Sequence, residues 1–206
     1  MTQPLQTQSH PDGLVRLGGW LFLRRTWMPL PIVAALLMTP SKHPSFPVLM
    51  VGILTVAAGE IMRVWAVRHI GVISRTRSDR LGPLITTGPF GYVRNPLYIG
   101  NLFLWIGFTV SAGRLWLVPV VGVLLGVEYH AIVRWEEGLL EARMGNAYRE
   151  YARKVPRWLP RSRQSAVTSH TAALFSWRET LFSERGTLIA IAIGYLLLWL
   201  KTKVNS

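Results

Sequence analysis

The chain has 206 residues, of which 50% are apolar and only 16% are charged, and its formal net charge is +13. Soluble domains carry roughly 25% charged residues, and basic loops orient membrane proteins, so this composition, with a mean hydropathy of +0.28, favours an integral-membrane protein over a nucleic-acid-binding one. The absence of cysteine excludes thiol catalysis, disulfides and cysteine-based metal sites.

The N-terminal quarter of the chain divides into a tail and a first membrane segment. Residues 1–13 are polar and lack the charged-then-apolar order of a cleavable signal, so we expect a disordered tail. Residues 14–46 are expected to hold an interfacial segment and a first transmembrane helix. The apolar run Trp27–Met38 is the candidate for that helix, although it is short and contains Pro29 and Pro31.

The remaining apolar runs predict most of the membrane helices, because a spanning helix needs about 20 mostly apolar residues. The candidates are Val48–Val67, Pro96–Ala112 and Leu115–Val133, with a tight turn over Ser111–Arg114. Thr187–Leu200 is short, and it either spans with its flanking residues or lies in the interface. No segment shows the alternation of apolar and polar residues that is typical of a β-strand. The sequence therefore predicts an all-α, polytopic membrane bundle of about five transmembrane helices.

The basic residues predict the orientation of this bundle. With a cytoplasmic N-terminus and five spans, eighteen of the 23 Lys and Arg residues lie inside, four lie outside and Arg63 lies within a span. We therefore expect a protein of the cell (inner) membrane with its N-terminus in the cytoplasm. The polar segments 69–95 and 134–186 then meet at the cytoplasmic face.

The second predicted span carries an ionisable pair, Glu60 and Arg63. Residues three apart share a helix face, so the two charges can neutralise each other. Ionisable groups within membrane helices are costly and often mark a functional cavity. The alternative is a structural ion pair near the end of the span.

The stretch GPFGYVRNPLYIG, residues 88–100, introduces a polar bend at the start of the third predicted span. Asn95 is suited to the N-cap position, and Pro96 to the first helical turn, where no amide donor is lost. The free amides of that turn favour a carboxylate or another anionic group. The alternative is an ordinary capped helix start.

Two adjacent carboxylates, Glu136 and Glu137, follow His130 and Arg134 where the fourth predicted span ends. A carboxylate pair at this point can hold a ribose, an amine or a sulfonium, and the alternative is a solvated, charged helix face. Gly145 is placed to end the helix that carries them.

These segments together resemble the isoprenylcysteine carboxyl methyltransferase and phospholipid methyltransferase superfamily. GPFGYVRNPLYIG is similar to the family's G-P-Y-x-Y-x-R-H-P-x-Y-x-G, and EEGLLEARMGNAYREYARKVPRWLP is similar to its E-E-x-x-L-x-x-x-F-G-x-x-Y-x-x-Y and closing V-P-x-x-x-P. GEIMRVWAVRHIG resembles the preceding L-R-x-W-A-x-x-x-L-G, so the likeness covers roughly residues 52–160. It implies an integral-membrane enzyme that uses S-adenosylmethionine (SAM) without a Rossmann domain, with a cofactor pocket and the active site at the cytoplasmic face. Residues 47–160 would form the methyltransferase core, and 161–206 a C-terminal extension with a last membrane helix.

The resemblance also implies site residues. The cofactor-binding candidates are Arg75, Gly82, Pro83, Leu84, Ile85, Phe90, Asn95, Pro96, Leu97, Tyr98, Glu136 and Glu137. The catalytic candidates are Glu136, Glu137 and Asn95, with Glu136 as base or acceptor-orienting group; the substrate-binding candidates are Glu60, Arg63, His130 and Arg134. No metal is implied.

Two positions depart from the family pattern. Asn95 replaces the usual histidine but can still hydrogen-bond the cofactor, and Ile132 stands where the isoprenylcysteine enzymes have a substrate-binding arginine, for which Arg134 or His130 could substitute. The expected reaction is methyl transfer from SAM to a lipid or lipid-linked acceptor, either an amine or a carboxylate. The alternatives are an NADPH-dependent membrane reductase related to sterol reductases, and a non-catalytic membrane binding protein.

Overall fold

A computed structural model describes residues 13–39, 44–70, 84–160 and 174–204, and in these ranges the protein contains helices and no strand. The helices are α1 (Gly13–Arg24), α2 (Leu30–Met38), α3 (Phe46–Ile70), α4 (Pro96–Ser111), α5 (Leu117–Met144), α6 (Asn146–Lys154) and α7 (Trp177–Val204), with a 3-10 helix at Gly88–Gly91 before α4. The structure thus confirms the predicted all-α membrane bundle.

Fewer helices are long enough to span than the sequence predicted. Among the described residues, α3, α5 and α7 are long and apolar enough to cross a membrane, and α4 is a shorter apolar helix of 16 residues. The predicted first span contains α2, which has nine residues and is about 14 Å long, and the first transmembrane helix expected within residues 14–46 stays a prediction. Pro29 is the N-cap residue of α2, and Pro31 lies in its first turn, where no amide donor is lost. The last helix is longer than predicted and extends well before Thr187.

Helices α3 and α4 pack closely through four buried glycines that face one another in two pairs, Gly52 with Gly107 and Gly59 with Gly100. A Cβ on Gly107 would lie 2.8 Å from the carbonyl oxygen of Gly52, and one on Gly100 would lie 2.8 Å from that of Gly59. The register of these pairs is antiparallel. Small residues allow such close approach between membrane helices, where packing rather than water exclusion drives association.

The first two helices cover α5. In α1, Gly18 lies against the backbone of Ala131 and Gly19 against the ring of Trp135. In α2, Ile32 and Leu36 belong to the same buried apolar cluster as Leu125 and Ile132 of α5. The N-terminal part of the chain therefore forms a wall of the bundle.

The two ends of the bundle differ in chemistry. At one end the C-termini of α3 and α5 meet the polar bend before α4, which includes residues 84–95. At the other end, Arg114 donates a hydrogen bond to the carbonyl oxygen of Thr39 (3.4 Å), and Lys201 of α7 donates to the same oxygen. The predicted turn between α4 and α5 is present, with Gly113 at φ +68°. The predicted helix end at Gly145 is confirmed by its φ of +54°.

Candidate active site

The polar bend before α4 is packed inside the protein. Phe90, Gly91 and Val93 are buried, and the carbonyl oxygen of Phe90 accepts a hydrogen bond from the Tyr151 hydroxyl at 2.9 Å. Gly88 has φ +59° and lies directly against the ring of His69, so a side chain at this position has neither a suitable backbone conformation nor space. Irregular backbone at this depth is tolerated because protein surrounds it.

Asn95 occupies the N-cap position of α4, but its side chain does not cap the helix. Its Nδ2 donates a hydrogen bond to the carbonyl oxygen of Arg157 at 3.3 Å, and no side-chain cap bond is formed. This corrects the predicted capping role: tertiary contact with the 155–160 segment uses the amide instead. The backbone amides of Leu97 and Tyr98, in the first turn of α4, have no carbonyl partner within their own helix.

Glu137 joins the two motif segments as the centre of an ion-pair cluster. Its Oε1 lies 3.1 Å from Nη1 of Arg94, and Arg157 holds both of its oxygens, with Nη2 at 2.6 Å from Oε2 and Nε at 3.0 Å from Oε1. The Glu137 side chain is only 12% exposed. The forked geometry of an arginine–carboxylate pair gives both strength and orientation. Glu137 therefore fixes the position of the bend before α4 relative to the end of α5.

Glu136 is held differently from its neighbour. The Tyr98 hydroxyl donates to its Oε2 at 3.0 Å, whereas Oε1 accepts no hydrogen bond from the described residues. The Tyr98 ring packs against Tyr129, with ring centroids 5.1 Å apart, which fixes the direction of the hydroxyl. Arg25, which follows α1, lies close enough for its charge to act on Tyr98 and Glu136. Glu136 is thus an oriented carboxylate with one oxygen left available.

Tyrosine and arginine side chains outside the membrane helices complete the cluster. Burial, with a smaller effect of the nearby Glu137 charge, raises the pKa of Tyr148 to about 12, so its hydroxyl stays protonated at neutral pH. Arg94 donates to that hydroxyl at 3.5 Å. The hydrogen bonds to Glu137 raise the pKa of Arg157 further above its ordinary value. Tyr148 is therefore neutral and Arg157 is charged across the physiological pH range.

The Glu60 and Arg63 pair forms a second buried polar cluster between α3, α4 and α7. Arg63 lies 3.5 Å from Glu60, 2.8 Å from Glu184 and 3.0 Å from the Thr187 hydroxyl, and it also donates to Asn101. Glu184 is completely buried. The predicted pairing of Glu60 with Arg63 is present, but Arg63 also binds the C-terminal helix. None of these contacts joins the cluster directly to Asn95 or the acidic pair, and the substrate-binding role of Glu60 and Arg63 stays a prediction.

The other predicted substrate-binding residues lie along α5. The His130 ring lies beside Trp158, with centroids 6.5 Å apart, and so faces the segment that also carries Arg157. Arg134 is half-buried one turn further along the helix. These side chains therefore belong to the surroundings of the acidic pair, and their substrate-binding role stays a prediction.

Some of the predicted cofactor-binding residues lie in the described part of the chain, and others do not. Arg75, Gly82 and Pro83 lie outside the described residues. Leu84 packs on the buried cluster of Tyr148 and Tyr151, and the residues that remain, Ile85, Phe90, Asn95, Pro96, Leu97 and Tyr98, follow one another into the first turn of α4. Of this last group, Tyr98 donates a hydrogen bond to Glu136, and Asn95 donates to the carbonyl oxygen of Arg157, whose side chain binds Glu137. The cofactor-binding role of these residues stays a prediction.

Sequence reasoning missed several residues of the site. Arg157 lies in the closing VPRWLP motif, which signalled the family but gave no hint that the arginine binds Glu137. Arg25 lies outside the motifs, and Glu128 is a buried carboxylate of α5 directly before Tyr129. Glu128 could have been noticed in the sequence, because it is a charged residue inside an apolar run. The described residues contain no group of three or more His, Asp or Glu positioned to hold a metal ion.

Comparison with known proteins shows which family the sequence of this chain resembles. The model of the phospholipid methyltransferase family matches residues 47–147, which include the bend before α4 and both glutamates. Protein-S-isoprenylcysteine O-methyltransferase of Schizosaccharomyces pombe is 32% identical over 93 residues, which are 45% of this chain and 38% of that protein. No solved structure matches the chain.

Two bacterial relatives resemble more of the chain. The cobalt-zinc-cadmium resistance protein CzcN of Cupriavidus metallidurans is 29% identical over 170 residues, 78% of this chain and 76% of that protein. The nickel-cobalt-cadmium resistance protein NccN of Alcaligenes xylosoxydans xylosoxydans is 30% identical over 117 residues, 57% of this chain and 52% of that protein. Through residues 47–147, the chain belongs to the membrane methyltransferase superfamily that includes the phospholipid and isoprenylcysteine methyltransferases.

Proposed function

We propose that the protein is a SAM-dependent methyltransferase of the membrane that methylates an amine or a carboxylate on a lipid or lipid-linked acceptor. The observation that carries this proposal is the 3.0 Å hydrogen bond from Tyr98 to Glu136, which joins the first turn of α4 to the acidic pair. It orients one carboxylate beside the helix start at which the family resemblance expects the cofactor. The membership of residues 47–147 in a methyltransferase family supports the same reaction.

The residues at the start of α4 suit SAM, which carries a carboxylate, an ammonium group and a positively charged sulfur. Thr86 Oγ1 and Arg94 Nε are buried and have no hydrogen-bond partner in the described part of the chain. The first-turn amides of Leu97 and Tyr98 are not capped by Asn95. Donors of this kind favour an anionic group at a helix N-terminus, and we assign them to the cofactor carboxylate.

Glu137 and Glu136 have separate roles in this proposal. Glu137, neutralised by Arg94 and Arg157, holds the two motif segments together and leaves little capacity for a ligand. Glu136 keeps an available oxygen, so it is the residue that contacts the acceptor. Two adjacent residues of the same type thus differ in function because their partners differ.

Methyl transfer then depends on the alignment of the acceptor atom with the methyl group and, for an amine acceptor, on the removal of one proton. SAM supplies, when bound, a methyl group on a positively charged sulfur that leaves as a neutral thioether. The acceptor nitrogen or oxygen forms the new bond to that carbon, and the protein must hold the two in line and exclude water. An amine acceptor has to lose a proton, which Glu136 accepts, with Tyr98 fixing the direction of the carboxylate. A carboxylate acceptor needs no base, and Glu136 then orients the reactants.

We place the site at the cytoplasmic face of the inner cell membrane. Arg94 and Arg157 lie at the end of the bundle to which the positive-inside rule assigns the cytoplasm. SAM then enters from the cytosol, and the lipid acceptor enters laterally between helices.

Calorimetry with the purified full-length protein tests the proposal. SAM is expected to bind, and S-adenosylhomocysteine is expected to compete with it. NADPH serves as the comparison ligand, because a membrane reductase of related fold would bind it instead. Binding of NADPH without SAM would support the reductase, and binding of neither would support the non-catalytic protein.

A further inference from the structure

An apolar groove of about 570 Å³ lies between α3 and the start of α7. Ile61, Val64 and Trp65 form its α3 wall, and Leu174 and Trp177 form the opposite wall. Both helices are long and apolar enough to span a membrane, so the groove belongs to the part of the molecule that meets lipid.

Arg68 marks one end of the groove, in the last turn of α3. Its guanidinium lies over the Trp177 ring, 3.9 Å from the ring centroid, and its Nε is buried without a hydrogen-bond partner. No carboxylate in the described ranges pairs with it. By contrast, Arg63, Arg94 and Arg157 each have a glutamate partner. Arg68 is therefore a fixed cation whose forked donor group is open to an external acceptor.

We propose that this groove binds an anionic phospholipid of the surrounding bilayer, with the phosphate at Arg68 and an acyl chain between α3 and α7. A guanidinium matches a phosphate in charge and in its paired donor geometry. From Arg68 back to Ile61 the groove extends about 10 Å along the helix, which accommodates part of an acyl chain. A free anion would match the guanidinium but would leave the apolar walls without a partner.

The position of Arg68 agrees with this orientation. Arginines near the end of a membrane helix reach the headgroup level, where anionic lipids concentrate. Glu60 also lines the groove, but it lies eight residues before Arg68 and pairs with Arg63. The carboxylate is therefore about 12 Å from the phosphate position along α3 and does not oppose the headgroup.

A lipid in this groove supports the neighbouring bend before α4. Trp65, in the α3 wall, packs against Tyr92 with ring centroids 6.2 Å apart, and His69 lies directly against Gly88. The lipid would also fill the space between α3 and α7 beside the Arg63–Glu184 ion pair. This inference does not depend on methyl transfer, because it concerns binding alone.

Native mass spectrometry and thermal unfolding of delipidated full-length protein test the site. Phosphatidylglycerol is expected to bind and to raise the melting temperature more than phosphatidylcholine at equal concentration. Arg68→Gln should weaken phosphatidylglycerol binding about tenfold or more, the effect of losing a charged hydrogen bond. Arg153→Gln, an exposed change in α6, should keep wild-type binding.

A second variant separates lipid binding from loss of folding. Val64→Trp fills the groove and keeps Arg68, so it should also abolish the phosphatidylglycerol shift. Wild-type phosphatidylglycerol binding in folded Arg68→Gln or in folded Val64→Trp would overturn the proposal. An equal shift from inorganic phosphate would overturn it as well, because the site would then be an anion site without a chain. If neither variant folds, equal binding of phosphatidylcholine and phosphatidylglycerol to wild-type protein would overturn it.

Discussion

Tyr98, in the first turn of α4, donates its hydroxyl hydrogen to Glu136, 38 residues further along the chain in α5, across 3.0 Å. The contact links the first turn of α4 to this carboxylate. It leaves Oε1 of Glu136 without a hydrogen bond from the described residues. The contact defines the point at which an acceptor can reach an oriented carboxylate.

Glu136→Gln is expected to keep the shape of the site and most of its SAM affinity but to lose turnover. General-base catalysis typically contributes about 10²- to 10⁴-fold, and that range sets the expected loss for an amine acceptor. The measurement is the single-turnover rate at saturating SAM with a lipid-extract acceptor. Glu141→Gln is the matched control, because Glu141 lies on the same helix and is 48% exposed. A wild-type rate for Glu136→Gln would remove Glu136 from the catalytic residues.

Tyr98→Phe removes the hydroxyl that orients Glu136 and keeps the ring that packs on Tyr129. The expected result is a slower methyl-transfer rate, by about tenfold, which corresponds to one ordinary hydrogen bond. The double variant with Glu136→Gln should be no slower than Glu136→Gln alone, because residues that act as a unit are not additive. Additive losses in the double variant would mean that Tyr98 acts independently of Glu136.

The long apolar runs were sufficient to predict α3, α4 and α5 near their observed positions. Helix α1 was not predicted as a packed helix, since Gly18 and Gly19 have low helix propensity. These two glycines allow α1 to lie close to Ala131 and Trp135 of α5. Such a tertiary contact cannot be predicted from the local sequence. Packing against α5 therefore outweighs the low helix propensity of the two glycines.

The polar contacts of the site were less predictable than its helices. The motifs brought Asn95 and the acidic pair into one hypothesis, but the different partners of Glu136 and Glu137 depend on how α5 meets the 155–160 segment. The Arg63–Glu184 pair joins residues 121 positions apart, and Glu184 lies beyond the family match. Spacing along the sequence carries no information on such a contact.

The glycine pairs between α3 and α4 predict a sharp difference between two similar substitutions. Gly107→Ala would place a Cβ 2.8 Å from the carbonyl oxygen of Gly52, and overpacking of this kind costs about 1–3 kcal/mol of unfolding free energy. Gly122→Ala, in α5, meets nothing within 4 Å and should leave stability unchanged or slightly higher. Thermal unfolding in detergent measures both. Equal stability of the two variants would contradict the close helix contact.

The orientation in the membrane can be tested in this cysteine-free chain. A single cysteine replacing Arg153, in α6, should be protected from a membrane-impermeant maleimide in intact cells and become labelled after permeabilisation. A cysteine replacing Lys203, at the end of α7, should be labelled in intact cells. The reason is the excess of basic residues at the end that holds the candidate site. The reverse labelling pattern would place the site on the outer face.

Glu137→Ala tests whether the second glutamate is a structural link. The change leaves Arg94 and Arg157 without their carboxylate, and breaking a largely buried ion pair from one side costs about 3–5 kcal/mol. Because Arg157 is 25% exposed, the expected loss is at the lower end of that range. The measurement is the melting temperature in detergent, with Glu150→Ala, an exposed residue of α6 paired with Lys154, as the control. Arg157→Leu combined with Glu137→Leu should recover part of the stability, because it removes two charges of the cluster together. If Glu137→Ala melts with the wild type and loses only SAM affinity, Glu137 binds the cofactor and does not hold the two segments together.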